Sequence, residues 1–284
     1  RWGVGWWKCW KGRIDAVSSL STQIGLWAAR QLADYDARQP GSMFSESIAL
    51  DVPTAYEVQS AVAQLRTERG EKVIGYKVGC TSPVIRAQLS IDQRVAGRLY
   101  GSERHASGVI LSCSEYANLA IEGELAVQLS RAPRARDFSS RSRIPPCVSR
   151  VFPVIELHNH VMRGKPSASE LIANNAIHAG FVAGQGEPAT VEFGEPALSI
   201  FADGELLDEC AGEVLFETLR CSLEWIADAS EHLGVRLNAG QIVLTGSIPA
   251  LLPIKRDCAI RVVAPPFGGV EARFIGDACS GASS

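Results

Sequence analysis

The chain has 284 residues, of which 46% are hydrophobic and 21% charged, an ordinary composition for a globular protein able to bury a sizeable core. A formal net charge of −3 gives no electrostatic footprint for nucleic acid. No apolar run approaches the roughly 20 residues that span a bilayer. The eight cysteines contain no C-x-x-C pair and read as small buried hydrophobes, so a cytoplasmic protein is expected, with neither membrane nor nucleic acid as partner.

Residues 1–17 read as an added, disordered extension. Trp2, Trp6, Trp7 and Trp10 crowd together with Lys8, Lys11 and Arg13, without the continuous apolar stretch and cleavage site of a secretory signal. Residues 18–71 form a helical segment. Leu20, Ile24, Trp27, Ala28, Leu32 and Tyr35 fall at helical spacing until Pro40-Gly41 ends the run. A second helix opens at Thr54, with Glu57 three residues on as a capping box, and stops at Gly70.

From residue 72 to 275 the rhythm changes to short strands at Val73–Cys80, Gly108–Ser112, Leu119–Leu129 and Val151–His158. A helix follows Ser167, again with a glutamate (Glu170) three positions later. Asp203-Gly204-Glu205 marks a hairpin turn between Ser199–Ala202 and Leu206–Asp208. A late helix carries Phe216, Leu219, Leu223 and Ile226 on one face, and the last strands are Gln241–Thr245, Ala259–Val263 and Val270–Phe274. Residues 276–284 are small and polar, a frayed tail. Helices first, then many strands with isolated helices, predict an α+β fold. The basic break Arg131–Arg143 reads as a solvated loop, or as a lid whose arginines meet an anionic substrate.

The densest chemistry lies in Leu119–Val127. As a strand it alternates, with Leu119, Ile121, Leu125 and Val127 on one face and Ala120, Glu122, Glu124 and Ala126 on the other. Two carboxylates about 7 Å apart on a half-buried face repel each other, and a hard divalent cation relieves that repulsion. Ordinary surface acids fit the same spacing. Glu156 stands alone in the apolar run Phe152–Leu157 and needs a cationic partner or a metal. Lys77 shares its strand face with Gly75 and Gly79, which leaves room for its ammonium to meet a carboxylate; an edge-strand lysine is the alternative. Thr245 and Ser247 flank a glycine at a strand end that suits an anion, as many turns do. His158-Asn159-His160 spells a nuclease name without the separated residues such a motif needs, and is set aside.

The blocks GYKVGCTS, IEGELAVQLS, FPVIEL, ANNAIHAGFVAG and LNAGQIVLTGSI resemble, in order, those of the 2-oxopent-4-enoate hydratase and 4-oxalocrotonate decarboxylase family of the fumarylacetoacetase-like superfamily. The resemblance runs from roughly Ser45 to Phe274. It implies a fumarylacetoacetase-like mixed β-roll with flanking helices, a homo-oligomer, and Mg²⁺ or Mn²⁺ held by Glu122, Glu124 and Glu156. It also implies that Lys77 binds or polarises a 2-oxo acid and that Thr245 touches its carboxylate, with Ser247 beside it.

Three departures stand out. Ser102 follows the GRLY block where hydratases carry an aspartate proposed in proton transfer. Isoleucine (Ile177) replaces the serine of A-D-N-A-S, and the segment ahead of the late helix reads CAGEVLFETLR. Glu103, His105 and His178 lie near enough in sequence to substitute, and a histidine titrates usefully near neutrality. The expected activity is a metal-dependent hydratase adding water to a 2-hydroxy-2,4-dienoate of aromatic meta-cleavage type. The alternatives are a 2-oxo-3-enedioate decarboxylase, a C–C hydrolase or tautomerase of the superfamily, and an inactive metal- and ligand-binding member.

Overall fold

The computed structural model describes residues 5–46, 48–139, 142–161, 166–192 and 194–276. In chain order its helices are α1 (Gly5–Asp36), α2 (Val52–Glu68), α3 (Pro83–Leu89), α4 (Ala135–Phe138), α5 (Ala168–Ala173) and α6 (Val214–Asp228). The strands of the first half are β1 (Val73–Gly79), β2 (Val95–Tyr100), β3 (Arg104–Ala106), β4 (Val109–Ser112), β5 (Leu119–Leu129), β6 (Val148–Asn159) and β7 (His178–Ala183). Those of the second half are β8 (Glu187–Pro188), β9 (Ala197–Ala202), β10 (Glu205–Ala211), β11 (Ile242–Leu244), β12 (Leu252–Pro253), β13 (Cys258–Val263) and β14 (Gly269–Ile275).

Helix α1 begins at Gly5, so the helix expected from Ser18 extends back through residues read as a disordered extension. Once the packed turns around Ala28 nucleate a helix, each further residue adds a hydrogen bond for little entropy, and no proline interrupts it. Helix α2 opens at Val52, one turn ahead of the expected capping box. Its cap is Asp51, whose carboxylate accepts the Thr54 N–H at 2.8 Å. Helix α5 has the expected box, with the Ser167 hydroxyl on the Glu170 N–H and the Glu170 carboxylate on the Ser167 N–H. From residue 277 the expected tail lies outside the described residues.

One sheet has the order β2-β1-β11-β5-β6-β7-β3, with β12 paired to β5 and β8 to β6. The other has the order β10-β9-β13-β14-β4. The first sheet curls into a roll. Leu99 of β2 and Phe181 of β7 come from strands far apart in its order, yet share one inner cluster with Ala126, Phe152, Val154, Ile242 and Leu244. The opposite face of β5, through Ile121, Leu125 and Val127, packs on Leu198, Ile200, Ile260 and Val262 of the second sheet. A side-chain carbon at Gly123 would come within 2.8 Å of Ile200, so this strand lies hard against that sheet. The fold is the α+β mixed roll expected.

Several elements were not legible beforehand: α3, β2 and β7 carry no period that separates them from loop. Within Arg131–Arg143, the Asp137 carboxylate accepts both Arg131 guanidinium N–H groups at 2.6 Å, which ties the basic loop down locally.

Candidate metal centre

Glu122 and Glu156 face each other as direct partners across the antiparallel pair β5–β6, so their side chains leave the same face side by side. His158, two residues beyond Glu156, shares that face by strand alternation. Its Nε2 lies 3.2 Å from Glu122 Oε2 and 3.5 Å from Glu156 Oε2. One donor atom from each of Glu122, Glu156 and His158 falls within 4.8 Å of the other two. Glu124, the next residue on the same face, is buried beside Glu156.

Lys77 reaches the cluster from β1. Its Nζ is 3.0 Å from Glu156 Oε1 and 3.3 Å from the Ala176 carbonyl oxygen. The glycine that makes room for it is Gly97, since a side chain there would strike Lys77 and the Asn175 carbonyl, whereas one at Gly79 would only touch Lys77 at 3.7 Å. Gly75, expected to leave that room, serves another purpose. A side-chain carbon there would collide with the Ile242 carbonyl, so it lets β1 lie close on β11. His178 completes the group, with Nδ1 2.6 Å from Glu156 Oε1. The ring nitrogen that meets an ionised carboxylate carries the proton and donates.

The Ala176 carbonyl is aimed by an unusual turn. Asn175, Ala176 and Ile177 all have left-handed backbones, with φ of 54°, 52° and 57°. That conformation is costly for a β-branched isoleucine. It is held by the Asn175 side chain, which accepts the Arg98 N–H at 2.6 Å and donates to the Arg98 carbonyl at 2.9 Å.

Burial works against charge on Lys77, Glu156 and Glu124, and partners decide which of them keep it. For Lys77 the carboxylates of Glu156, Glu122 and Glu124 outweigh burial and raise its pKa. For Glu156, Lys77, His158 and His178 outweigh burial and hold the carboxyl below the usual carboxylate range. Glu124 has no such help. Burial first, then the charges of Glu156 and Glu122, push its pKa well above the ordinary value.

A divalent cation fits this donor set. With Glu124 ionised, as a bound cation would favour, three carboxylates against one ammonium leave two negative charges, the complement of a divalent ion. Both Glu124 carboxyl oxygens, Glu156 Oε2 and both His158 ring nitrogens are buried without a hydrogen-bond partner among the described residues. Buried polar atoms left in that state are costly, and a shared cation removes the cost.

The cluster opens into a cavity of about 430 Å³. Lys77, Glu122, His158, His160 and Ser247 are among its polar lining, and Val84, Ile85, Leu89, Ile177, Ile248 and Leu251 among its apolar lining. Ser247 Oγ donates to the Pro249 carbonyl at 2.8 Å. Thr245 is buried at the end of β11, and its hydroxyl donates to the Leu125 carbonyl at 2.7 Å. His105 is elsewhere. It lines a second cavity with Tyr35, Glu71, Ser102 and Glu103 that shares no lining residue with the first. No described residue of Arg131–Arg143 lines the first cavity, so the lid reading finds no support there. The run His158-Asn159-His160 hides the role of His158 behind a motif name. The alternation that pairs Glu122 with Glu124 would have placed it beside Glu156.

No family model matches the chain. Among curated proteins it is 27% identical over 227 residues to the 2-keto-4-pentenoate hydratase of Burkholderia vietnamiensis strain G4, covering 79% of this chain and 86% of that one. It is 26% identical over 225 residues to the 4-oxalocrotonate decarboxylase of Pseudomonas putida, covering 78% and 84%. The chain is a relative of these hydratases and decarboxylases. Among solved structures, 4-oxalocrotonate decarboxylase from Pseudomonas putida G7, complexed with magnesium and adipate, superposes with a TM-score of 0.76 at 22% identity, covering 89% of this chain and 98% of that one. That likeness establishes the fumarylacetoacetase-like fold. Among the described residues, no helix is long and apolar enough to cross a membrane.

Proposed function

We propose that this relative of the hydratases is a divalent-metal-dependent lyase that adds water to a 2-hydroxy-2,4-dienoate, the kind of compound met in meta-cleavage catabolism of aromatic rings. The observation that carries the reading is the cavity's polarity. Lys77, Glu122 and His158 of the cluster line it together with the apolar side chains of Val84, Ile85, Leu89, Ile248 and Leu251. Such a cavity suits a ligand with a chelating 2-oxo acid head and an uncharged tail.

Glu122, Glu124 and Glu156 would hold Mg²⁺ or Mn²⁺, which when bound supplies Lewis-acid polarisation of the substrate's 2-oxo oxygen. Lys77 keeps its charge despite burial and stabilises negative charge that develops on the same oxygen. Its place is fixed before substrate arrives by Glu156 and the Ala176 carbonyl. The apolar wall excludes bulk water, which strengthens these interactions and limits which water reaches the distal double bond. His178 keeps Glu156 ionised and oriented through its Nδ1–H.

A carboxy-lyase acting on a 2-oxo-3-enedioate is the second reading. It is favoured by Ile177, which leaves the cavity without the serine that the hydratase blocks carry. Loss of carbon dioxide supplies its own electron pair and needs only reprotonation. Against it, Lys77 is the one lysine or arginine lining the cavity among the described residues, so a distal carboxylate finds no cation there. The deciding experiment is a panel of 2-hydroxydienoates and 2-oxo-enedioates assayed with and without Mg²⁺ and Mn²⁺. Hydrated 4-hydroxy-2-oxo acids are expected. Carbon dioxide release in their place selects the second reading, and metal-dependent binding without turnover removes both.

A further inference from the structure

We propose that His158 is itself a ligand of the cation, so that this site mixes imidazole nitrogen with carboxylate oxygen and prefers Zn²⁺ strongly, and Mn²⁺ modestly, over Mg²⁺. The inference rests on the metal-dependent reading above and concerns which atoms and which ions complete the site.

The geometry is direct. His158 Nε2 is 3.2 Å from Glu122 Oε2 and 3.5 Å from Glu156 Oε2, carboxylates that face each other across β5 and β6. The three donor atoms share a space small enough for one ion to bind all of them. A second observation is independent of that cluster. His158 is 1% exposed, and neither of its ring nitrogens has a hydrogen-bond partner among the described residues. An imidazole must donate at one nitrogen and accept at the other, or bind a metal. His178, also on this face of the sheet, differs in having Nδ1 committed to Glu156. The Nε2 of His178 is also without a partner, but it is not among the donor atoms that one ion could share, so His158 is the imidazole placed to bind it.

The chemistry of the ion follows from the donor. Mg²⁺ takes oxygen ligands and keeps much of its water, whereas imidazole favours Mn²⁺ modestly and Zn²⁺ strongly. Replacing the nitrogen should therefore cost affinity for Zn²⁺ and Mn²⁺ more than for Mg²⁺.

The test loads the whole chain with Mn²⁺ and records pulsed electron paramagnetic resonance spectra. Wild type is expected to show a nitrogen coupled directly to Mn²⁺, and growth with [¹⁵N]histidine should change that signal. It should vanish in His158→Gln and persist in His178→Gln. By competition titration, the preference for Zn²⁺ over Mg²⁺ should narrow at least ~10-fold in His158→Gln, the scale on which altered surroundings change metal affinity. The isotope arm uses only wild type, so it stands even if the variant folds poorly. Bound Mn²⁺ without histidine nitrogen, or a coupling that survives in His158→Gln, overturns the assignment and leaves the carboxylate site and the lyase reading intact. A wild-type chain that binds no divalent ion overturns both.

Discussion

Ser102 donates its hydroxyl to Glu71 Oε2 at 2.8 Å, and so turns away from the Glu122–Glu156 cluster toward the second cavity. Restoring the aspartate of the hydratase blocks, Ser102→Asp, sets a carboxylate against Glu71 in place of a donor. We expect a loss of about 1 kcal/mol in urea unfolding at neutral pH, with the Arg66 and Arg69 side chains absorbing part of the repulsion. Turnover across the dienoate panel should not rise. A gain in water addition would show that this side chain can be redirected into the active cavity.

Glu71 also sets an acid limit on stability. Burial opposes its charge, but Arg66, Arg69 and Ser102 outweigh it and bring its pKa down to about 2. A carboxyl depressed in the folded state binds protons more readily when unfolded. Its stabilisation is complete above the unfolded value near 4.3 and is lost as pH falls toward 2. Glu71→Gln should therefore remove on the order of 2 kcal/mol at pH 7 and about half as much at pH 3. Unfolding curves of wild type and variant that stay parallel between those pH values would refute this.

The three carboxylates should separate in the metal-free protein. Glu122→Gln, Glu124→Gln and Glu156→Gln should each weaken Mn²⁺ binding by more than about 100-fold in calorimetric titration, beyond the effect of outer-sphere changes. Apo stability discriminates further. Glu156→Gln leaves the buried Lys77 ammonium without its partner and should cost about 3–5 kcal/mol. Glu124→Gln replaces a carboxyl whose pKa is already pushed up and should stay within about 1 kcal/mol of wild type. Equal apo stabilities for these two variants would mean that Lys77 does not depend on Glu156.

The distal wall offers a test of specificity. Ile85 lines the cavity and is 43% exposed, so a longer charged side chain can be accommodated there. Ile85→Arg should shift the kcat/KM ratio toward enedioates over uncharged dienoates by about 10-fold or more, since it adds a cation for the distal carboxylate. An unchanged ratio would place the substrate's tail on another wall.

Much of the site was legible because strands alternate. The i, i+2 pair of Glu122 and Glu124 and the solitary Glu156 point to one face, and β5–β6 pairing brings Glu122 opposite Glu156. The space for Lys77 comes from Gly97, its partner on the neighbouring strand, and not from Gly75 and Gly79 of its own strand. His105 was named from proximity in sequence, yet β3 pairs with the far side of β7 and carries it into the other cavity. The left-handed turn at Asn175–Ile177 could not have been read beforehand. Its conformation is imposed by Arg98 and the Asn175 side chain, a contact between distant parts of the chain. The same holds for β2 and α3, short segments whose identity comes from what they pack against rather than from any period of their own.

The close seat of Gly123 against Ile200 and Val262 divides the cavity into a half that is free to vary and a half that is not. A strand of the first sheet seated this closely on the second cannot tilt to accommodate a new ligand without displacing the second sheet with it. The ion-holding end thus behaves as fixed tooling. The opposing wall comes from residues 80–89 and 246–251, largely turns and one short helix tied to the sheet only at their ends. Changes in what the protein accepts should accumulate there, and a selection for new substrates aimed at those two segments should outperform one spread over β5 and β6.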